Sequence, residues 1–172
     1  VELRQYRADE TLRDGSTLAV RALQPGDRQG LEDAVRRMSD ESIYRRFFSL
    51  RREFTSREVD YYTNVDFSNH VALVGVLHED AKPLIVAGAR YVLVAPGIAE
   101  VAFAVDDAHQ GLGIGGLMMK HLTAAARTAG LRQFVAEVLA ANAAMLKVFE
   151  KSGLAVRTRR DQDVLHVTLD LA

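Results

Sequence analysis

The segment Gln110-Gly111-Leu112-Gly113-Ile114-Gly115-Gly116 lies between an alternating apolar run and an amphipathic one. Residues of these types at this spacing can cradle an anion. The first N–H groups of a helix have no internal partner and carry the positive end of the helix dipole. Successive N–H groups can therefore wrap a phosphate, and glycine lets the backbone approach closely and reach positive φ. Three phosphate loops share this look. A P-loop needs GxxxxGK[ST]. Here Gly111 is followed by Gly116-Leu117-Met118, without the lysine or the magnesium-binding hydroxyl, which excludes it. A dinucleotide fingerprint matches as a string, Gly111-x-Gly113-x-x-Gly116 with Glu137 about twenty residues on. Its context does not match. Residues 106–110 separate the strand from the first glycine, where that fold turns at once, and too little chain follows for a second nucleotide half. The third pattern is Gln-x-x-Gly-x-Gly, carried by Gln110, Gly113 and Gly115.

This third pattern resembles the GNAT superfamily of N-acetyltransferases, whose [Gln/Arg]-x-x-Gly-x-[Gly/Ala] motif follows a strand and grips the coenzyme A pyrophosphate. The resemblance implies that Gln110, Gly111, Leu112, Gly113, Ile114, Gly115 and Gly116 bind acetyl-CoA. A second stretch, Asn142-Ala143-Ala144-Met145-Leu146-Lys147-Val148-Phe149-Glu150-Lys151-Ser152-Gly153-Leu154, is similar to the family's N-x-x-A-x-x-[L]-Y-E-K-x-G-F helix and keeps its spacing. Asn142 also reads as a plain helix N-cap, and both roles can hold. In the family this Asn touches the pantetheine arm. One departure matters. The helix Tyr that many members use as general acid toward the thiolate is Phe149 here, a coenzyme-site residue with no proton to give. Another group or water protonates the thiolate, or it leaves unprotonated, since such a thiol has a pKa of about 8.5.

Acyl transfer to an amine needs a free amine. A lysine ammonium with pKa about 10.4 is neutral only about once in 10³ at pH 7, so a nearby base helps. The resemblance places a catalytic glutamate at Glu100, the start of EVAFAV. Alternation puts Glu100 on one face with Ala102 and Ala104, small residues that leave room for substrate. Glu137 on the following strand is the reserve base. The oxyanion needs preorganised donors. The resemblance implies that Phe103, Ala104 and Val105 run beside the coenzyme, with the Phe103 N–H as oxyanion donor and Val105 paired to the pantetheine. A bulge would move this assignment by one residue. Asp106-Asp107 reads as a turn that could also attract a cation, and His109 as a solvated loop residue that could also touch the phosphates. His70, His78, His109, His121 and His166 show no metal-ligand spacing, so no metal is expected.

These residues need a frame. Residues 17–23 are β-prone after the turn signal Asp14-Gly15. Pro25 and Asp27 open a helix running to about Ser39, with Leu31, Ala34, Val35 and Met38 as its apolar stripe. Asp40 can cap a second helix that buries Ile43, Phe47 and Phe48. Thr55 and Glu58 have capping-box spacing before a third helix with Val59 and Tyr62 apolar. Strands are expected at 70–78, 84–95, 99–105, 132–139, 154–159 and 163–171, with hairpin residues 79–83 joining the first two. Helices are expected from about Gly113 to Ala129, closed by Gly130, and from the Asn142 cap to Gly153. The order β, helices, β-β-β, α, β, α, β-β gives an α/β domain with a mixed, α+β-like sheet. The resemblance sharpens this to a largely antiparallel GNAT-type acyl-CoA N-acyltransferase sheet, splayed between its fourth and fifth strands. A single domain is expected over 1–172, with its core at about 17–172.

Composition narrows the class. The 172 residues are 48% hydrophobic and 26% charged with net charge -1, which suits a globular fold and disfavours bulk nucleic-acid or anionic-membrane binding. There is no cysteine, which excludes disulfides, thiolate metal sites and a covalent Cys intermediate. No apolar run is long enough for a bilayer, and the charged N-terminus lacks a signal-peptide core, so the expected location is the cytoplasm. Asp14-Gly15, Val20-Arg21, Asp27 and the run Ser39-Asp40-Glu41-Ser42-Ile43-Tyr44-Arg45-Arg46-Phe47-Phe48 resemble the Pat-type protein lysine acetyltransferases, as does Ala99-Glu100. That likeness implies a lysine of a protein such as an acyl-CoA synthetase as acceptor, acetylated from acetyl-CoA in a ternary complex. A small-molecule amine acetyltransferase and a non-catalytic acyl-CoA-binding module are the alternatives.

Overall fold

The computed structural model describes residues 2–47, 55–79 and 81–172. Among these, eight strands form one sheet in the order β1-β2-β3-β4-β5-β6-β8-β7. β1 (Arg7–Thr11) and β2 (Thr17–Ala22) form an antiparallel hairpin. Asp14 shapes its turn by accepting from the Ser16 N–H at 3.0 Å. β1 joins the sheet ten residues before the expected start of the core. Its sequence, RADET, is polar on both faces, as suits a charged edge strand, and so it carries no apolar alternation.

A short 3-10 turn, Pro25–Asp27, leads into α1 (Arg28–Arg37). α2 spans Asp40–Phe47. Its cap is Ser39 rather than the expected Asp40: the Ser39 hydroxyl accepts from the Ser42 N–H at 3.2 Å. Asp107 from across the sheet accepts from the Ser39 N–H and the Ser42 hydroxyl, which fixes Ser39 at this position. Ile43 is fully buried; the side chain of Phe47 and all of Phe48 lie outside the described residues. α3 (Ser56–Thr63) starts on the Thr55–Glu58 capping box.

β3 (His70–Glu79), β4 (Lys82–Ala95) and β5 (Ile98–Val105) form an antiparallel meander. β3 and β4 pair out to Glu79↔Lys82, so the strands take in part of the hairpin stretch expected at 79–83. After β5 come a 3-10 turn at Asp107–His109 and α4 (Ile114–Thr128). β6 (Gln133–Leu139), α5 (Ala143–Glu150), β7 (Ala155–Asp161) and β8 (Val164–Asp170) complete the chain.

β5 and β6 are the parallel neighbours, and they pair only from Ile98↔Gln133 to Glu100↔Val135. Beyond that point the two strands diverge. This is the expected splay between the fourth and fifth strands, displaced by one in the count because β1 precedes them. The odd residues of β5, such as Ala99 and Val101, are buried in the core that α4 covers with Ile114, Met118 and Leu122. On the other face a smaller apolar cluster, including Val74 and Ile85, packs Leu31 and Ala34 of α1. One face of the sheet therefore carries α4, and the other carries the N-terminal helices.

Candidate active site

The wedge begins where β5 and β6 part. Asp106 donates its N–H to the Val86 carbonyl at 2.7 Å. Alternation in the antiparallel register then turns the N–H groups of Ala104 and Ala102 toward β4, opposite Gly88 and Arg90. The N–H groups of Phe103 and Val105 turn the other way, toward β6. With pairing ended at Glu100↔Val135, they face a widening gap. No register shift occurs in β5 from Ala99 to Val105; the irregularity lies between Leu93 and Ala95 on β4. No bulge therefore separates the N–H groups of Phe103 and Val105 from the gap they face. Ala104 differs: its backbone pairs with β4, and only its methyl group remains, on the opposite face.

The wide end of the wedge meets the glycine loop. Gly113 precedes α4 in a left-handed conformation at φ 83°, which a Cβ would strain. The Leu117 N–H makes the first helical bond, to the Gly113 carbonyl at 3.2 Å, so the N–H groups of Ile114, Gly115 and Gly116 precede the helical ladder. Gly115 backs directly onto Val148 of α5, where a Cβ would lie 3.2 Å from its methyl. Gly116 has no such reason: a Cβ there meets nothing within 4 Å, although glycine inside a helix costs about 1 kcal/mol relative to alanine. The protein itself leaves that space open, as a site for a bulky anionic group requires. The Ile114 side chain is buried in the core and Leu112 packs against it, so these two residues offer their backbones. Gln110 is exposed, and its amide donates to Asp107 at 3.2 Å.

The narrow end holds Glu100, exposed and in the last paired position before the split. Asn142 caps α5, its Oδ1 accepting from the Met145 N–H at 3.2 Å. Phe149 is 1% exposed and meets Phe103 edge-on, ring centroids 6.2 Å apart. Glu137 points away from the core beside His166, 3.5 Å from its Nδ1.

Several loop residues act as structural clamps. Asp106 is buried and bridged to Arg37 at 3.2 Å. His109 sits 3.5 Å from Asp106 with a side chain only 14% exposed, so it is not the solvated residue expected. The loop folds over it because Asp106 and Asp107 tie the turn to α1 and α2. Among the described residues no cluster of His, Cys, Asp and Glu could hold a metal ion, and no helix is long and apolar enough to cross a membrane.

Sequence reasoning placed Ala102 and Ala104 beside Glu100 as small residues that leave room for substrate, but did not single out the cations on that side. A cavity of about 460 Å³ lies between the N-terminal helices and the β4–β5 face, floored by Gly88, Ala102 and Ala104. Arg46, Tyr62 and Arg90 line it. Glu100 lies just outside this lining; burial holds the Arg46 pKa below the usual guanidinium value, and the nearby Tyr62, Tyr61 and Glu100 partly oppose that. Arg90 had a visible signal: it is a lone charge inside LIVAGARYVLV. Arg13, from the β1–β2 turn, donates to the Gly111 carbonyl at 3.2 Å and brings a cation to the glycine loop.

The model of the acetyltransferase (GNAT) family matches residues 40–154. Acetyltransferase Pat of Mycolicibacterium smegmatis is 36% identical over 162 residues, covering 93% of this chain and 47% of Pat. The chain thus spans about half the length of that relative. Acetyltransferase PA5475 of Pseudomonas aeruginosa is 32% identical over 79% of this chain and 74% of its own length. The crystal structure of the GNAT domain of S. lividans PAT superposes with a TM-score of 0.85 at 35% identity, covering 95% of this chain and 96% of that one.

Proposed function

Because the chain belongs to the GNAT family of acetyltransferases, we propose that it moves an acetyl group from acetyl-CoA to the side-chain amine of a protein lysine, by direct attack with both substrates bound. The observation that carries this reading is the wedge. Its wall presents the backbone of Phe103 and Val105, its mouth meets the N–H groups opening α4, and Glu100 stands at its vertex.

Acetyl-CoA supplies a thioester-activated acetyl group, whose carbon–sulfur bond breaks as the new carbon–nitrogen bond forms. The chain's own residues do the rest. Glu100 accepts a proton from the incoming ammonium, directly or through one water. The Phe103 N–H donates to the oxygen on which negative charge develops, where preorganised donors have their largest effect. Val105 pairs with the pantetheine arm, and the loop Gln110-Gly111-Leu112-Gly113-Ile114-Gly115-Gly116 holds the phosphates. Asn142 uses Oδ1 for its cap and keeps its amide donor for the arm. Phe149 packs the floor and donates no proton. A leaving thiol of pKa about 8.5 makes departure as thiolate feasible without an enzymic acid.

The preference for a protein lysine rests on the likeness of residues 39–48 to Pat-type enzymes and on the similarity to Pat. An acyl-CoA synthetase is the protein substrate to try first. With labelled acetyl-CoA, the label is expected on a lysine of that synthetase. A synthetase left unlabelled, while small amines are acetylated, would move the assignment to the small-molecule class. Glu100→Gln is expected to lower turnover by about 10²–10⁴-fold with acetyl-CoA affinity kept. A wild type that binds acetyl-CoA yet acetylates no amine on a broad panel would instead be a binding module.

A further inference from the structure

Beside the vertex, β4 places a cation that has no counter-ion among the described residues. Arg90 pairs across the sheet with Ala102, and Val92 pairs with Glu100, so Arg90 and Glu100 share a face as diagonal neighbours, about 7 Å apart at Cβ. The Arg90 guanidinium uses Nη1 twice, donating to the Tyr62 carbonyl at 3.1 Å and meeting His70 Nε2 at 3.0 Å. It lies 5.0 Å from the Tyr62 ring, and the Arg46 guanidinium lies 5.9 Å from the same ring. His70 does not balance it: burial, and then the Arg90 charge, push that imidazole down to about 4, so it is neutral near pH 7.

The carboxylates lining the cavity are already engaged. Asp106 is bridged to Arg37 at 3.2 Å, and Glu32 to Arg28 at 3.6 Å and Arg36 at 3.8 Å. Among the described residues no carboxylate bridges Arg90. Among the described residues its Nε and Nη2 make no hydrogen bond, and they are not sealed off, since neither is among the fully buried atoms that lack a partner. Arg90 itself lines the cavity. Burial and the neighbouring Arg46 charge push Arg90 down to about 10, which still leaves it cationic near pH 7. A half-buried guanidinium with a free planar edge matches a carboxylate, which it can hold through two parallel hydrogen bonds.

We infer that this cavity is an acceptor subsite in which Arg90, assisted by Arg46, binds a carboxylate carried close to the reacting amine. This rests on the acetyltransferase reading above and deepens it: the acceptor is a lysine with an aspartate or glutamate beside it in the substrate chain. A free amino acid would offer the same chemistry through its own carboxylate. The subsite sets acceptor choice, and the acetyl donor bypasses it, since the wedge lies on the β6 side of β5.

The test compares kcat/KM for peptides that differ only in the residue next to the lysine: glutamate, glutamine or arginine. Wild type is expected to favour the glutamate peptide roughly 10–100-fold over the glutamine peptide. In Arg90→Gln that ratio falls to about 1, and in Arg90→Lys, which keeps charge without the fork, it is intermediate. Melting curves and acetyl-CoA affinity check that each variant is folded. Equal wild-type rates on the three peptides would overturn the subsite while leaving lysine acetylation standing. If every peptide is inert and small amines react, the protein-lysine reading fails instead. Ornithine against putrescine then decides the subsite, a preference for ornithine supporting it and equal rates overturning it. Where no acceptor turns over, calorimetry with glutarate decides: binding by wild type that Arg90→Gln loses supports the subsite, and no binding by wild type overturns it. If Arg90→Gln does not fold, competitive inhibition of wild type by glutarate against peptide, but not against acetyl-CoA, supports the subsite; its absence counts against it.

Discussion

Tyr91 and His70 are neighbours of the proposed site on opposite faces of the sheet, and each makes a stability argument of its own. The Tyr91 hydroxyl is buried without a partner among the described residues, and burial pushes its pKa up to about 12. Its ring packs on Phe134 with centroids 6.0 Å apart, so the apolar part works while the oxygen does not. Tyr91→Phe is therefore expected to be at least as stable as wild type, by up to about 1 kcal/mol in urea unfolding. His70 is held neutral, its pKa pushed from 6.5 to about 4 by burial and by Arg90. The unfolded chain takes up this proton first, so stability is full above pH 6.5 and falls as pH drops toward 4. The depressed carboxyls belong to a lower window. Burial would raise Asp27, but Arg21 and the Gln24 N–H hold it down, and backbone donors from Ser68, His70 and Asn69 lower Asp66; both lose their contributions below 3.8. Unfolding midpoints between pH 7 and 4.5 should therefore slope in wild type and be flatter in His70→Gln. An equal slope in both would remove His70 from the account.

At the scale of elements, the two helix starts divide the work. α4 opens on Gly113 with bare N–H groups, whereas α5 opens on a side-chain cap from Asn142. Asn142→Ala should cost about 1 kcal/mol of stability, the usual loss of such a cap. Asn142→Ser keeps an acceptor for the Met145 N–H but loses the amide donor. If that donor reaches the pantetheine, Asn142→Ser should melt like wild type yet bind acetyl-CoA several-fold more weakly. Unchanged affinity in both variants would reduce Asn142 to its cap.

Across the whole molecule, the sheet is closed at one side by a strand with little apolar pattern. β1 brings Leu3 and Leu12 to the core from either side of it, and its entry places Tyr6 OH 2.6 Å from His121 on α4. A chain starting at residue 16 retains the glycine loop and Glu100 but loses that edge and Arg13. It should lose about 3–5 kcal/mol for the two leucines alone, read as a lower melting temperature. A melting temperature equal to that of the full chain would show that β1 is ornamental to the core.

The glycine loop, the Thr55 box, the Asn142 cap and most strand positions were legible because their causes are local. Left-handed φ, capping geometry and two-residue alternation are written in neighbouring side chains. The order of elements followed from the chain as well, whereas the splay was what the resemblance implied. The donor-side candidates in the glycine loop could be named for the same reason. β1 was not, because an edge strand needs no apolar alternation to pair. Nor was the cap at Ser39, which depends on Asp107 from a distant turn. Ala104 turned out to use its backbone on β4, a fact of strand parity that only the register with Gly88 fixes. The cavity around Arg90 was decided entirely by tertiary structure. Arg90, Tyr62, Arg46 and Glu100 come from four elements, and only the packing of the N-terminal helices on the β4–β5 face gives that lone strand cation a place to act.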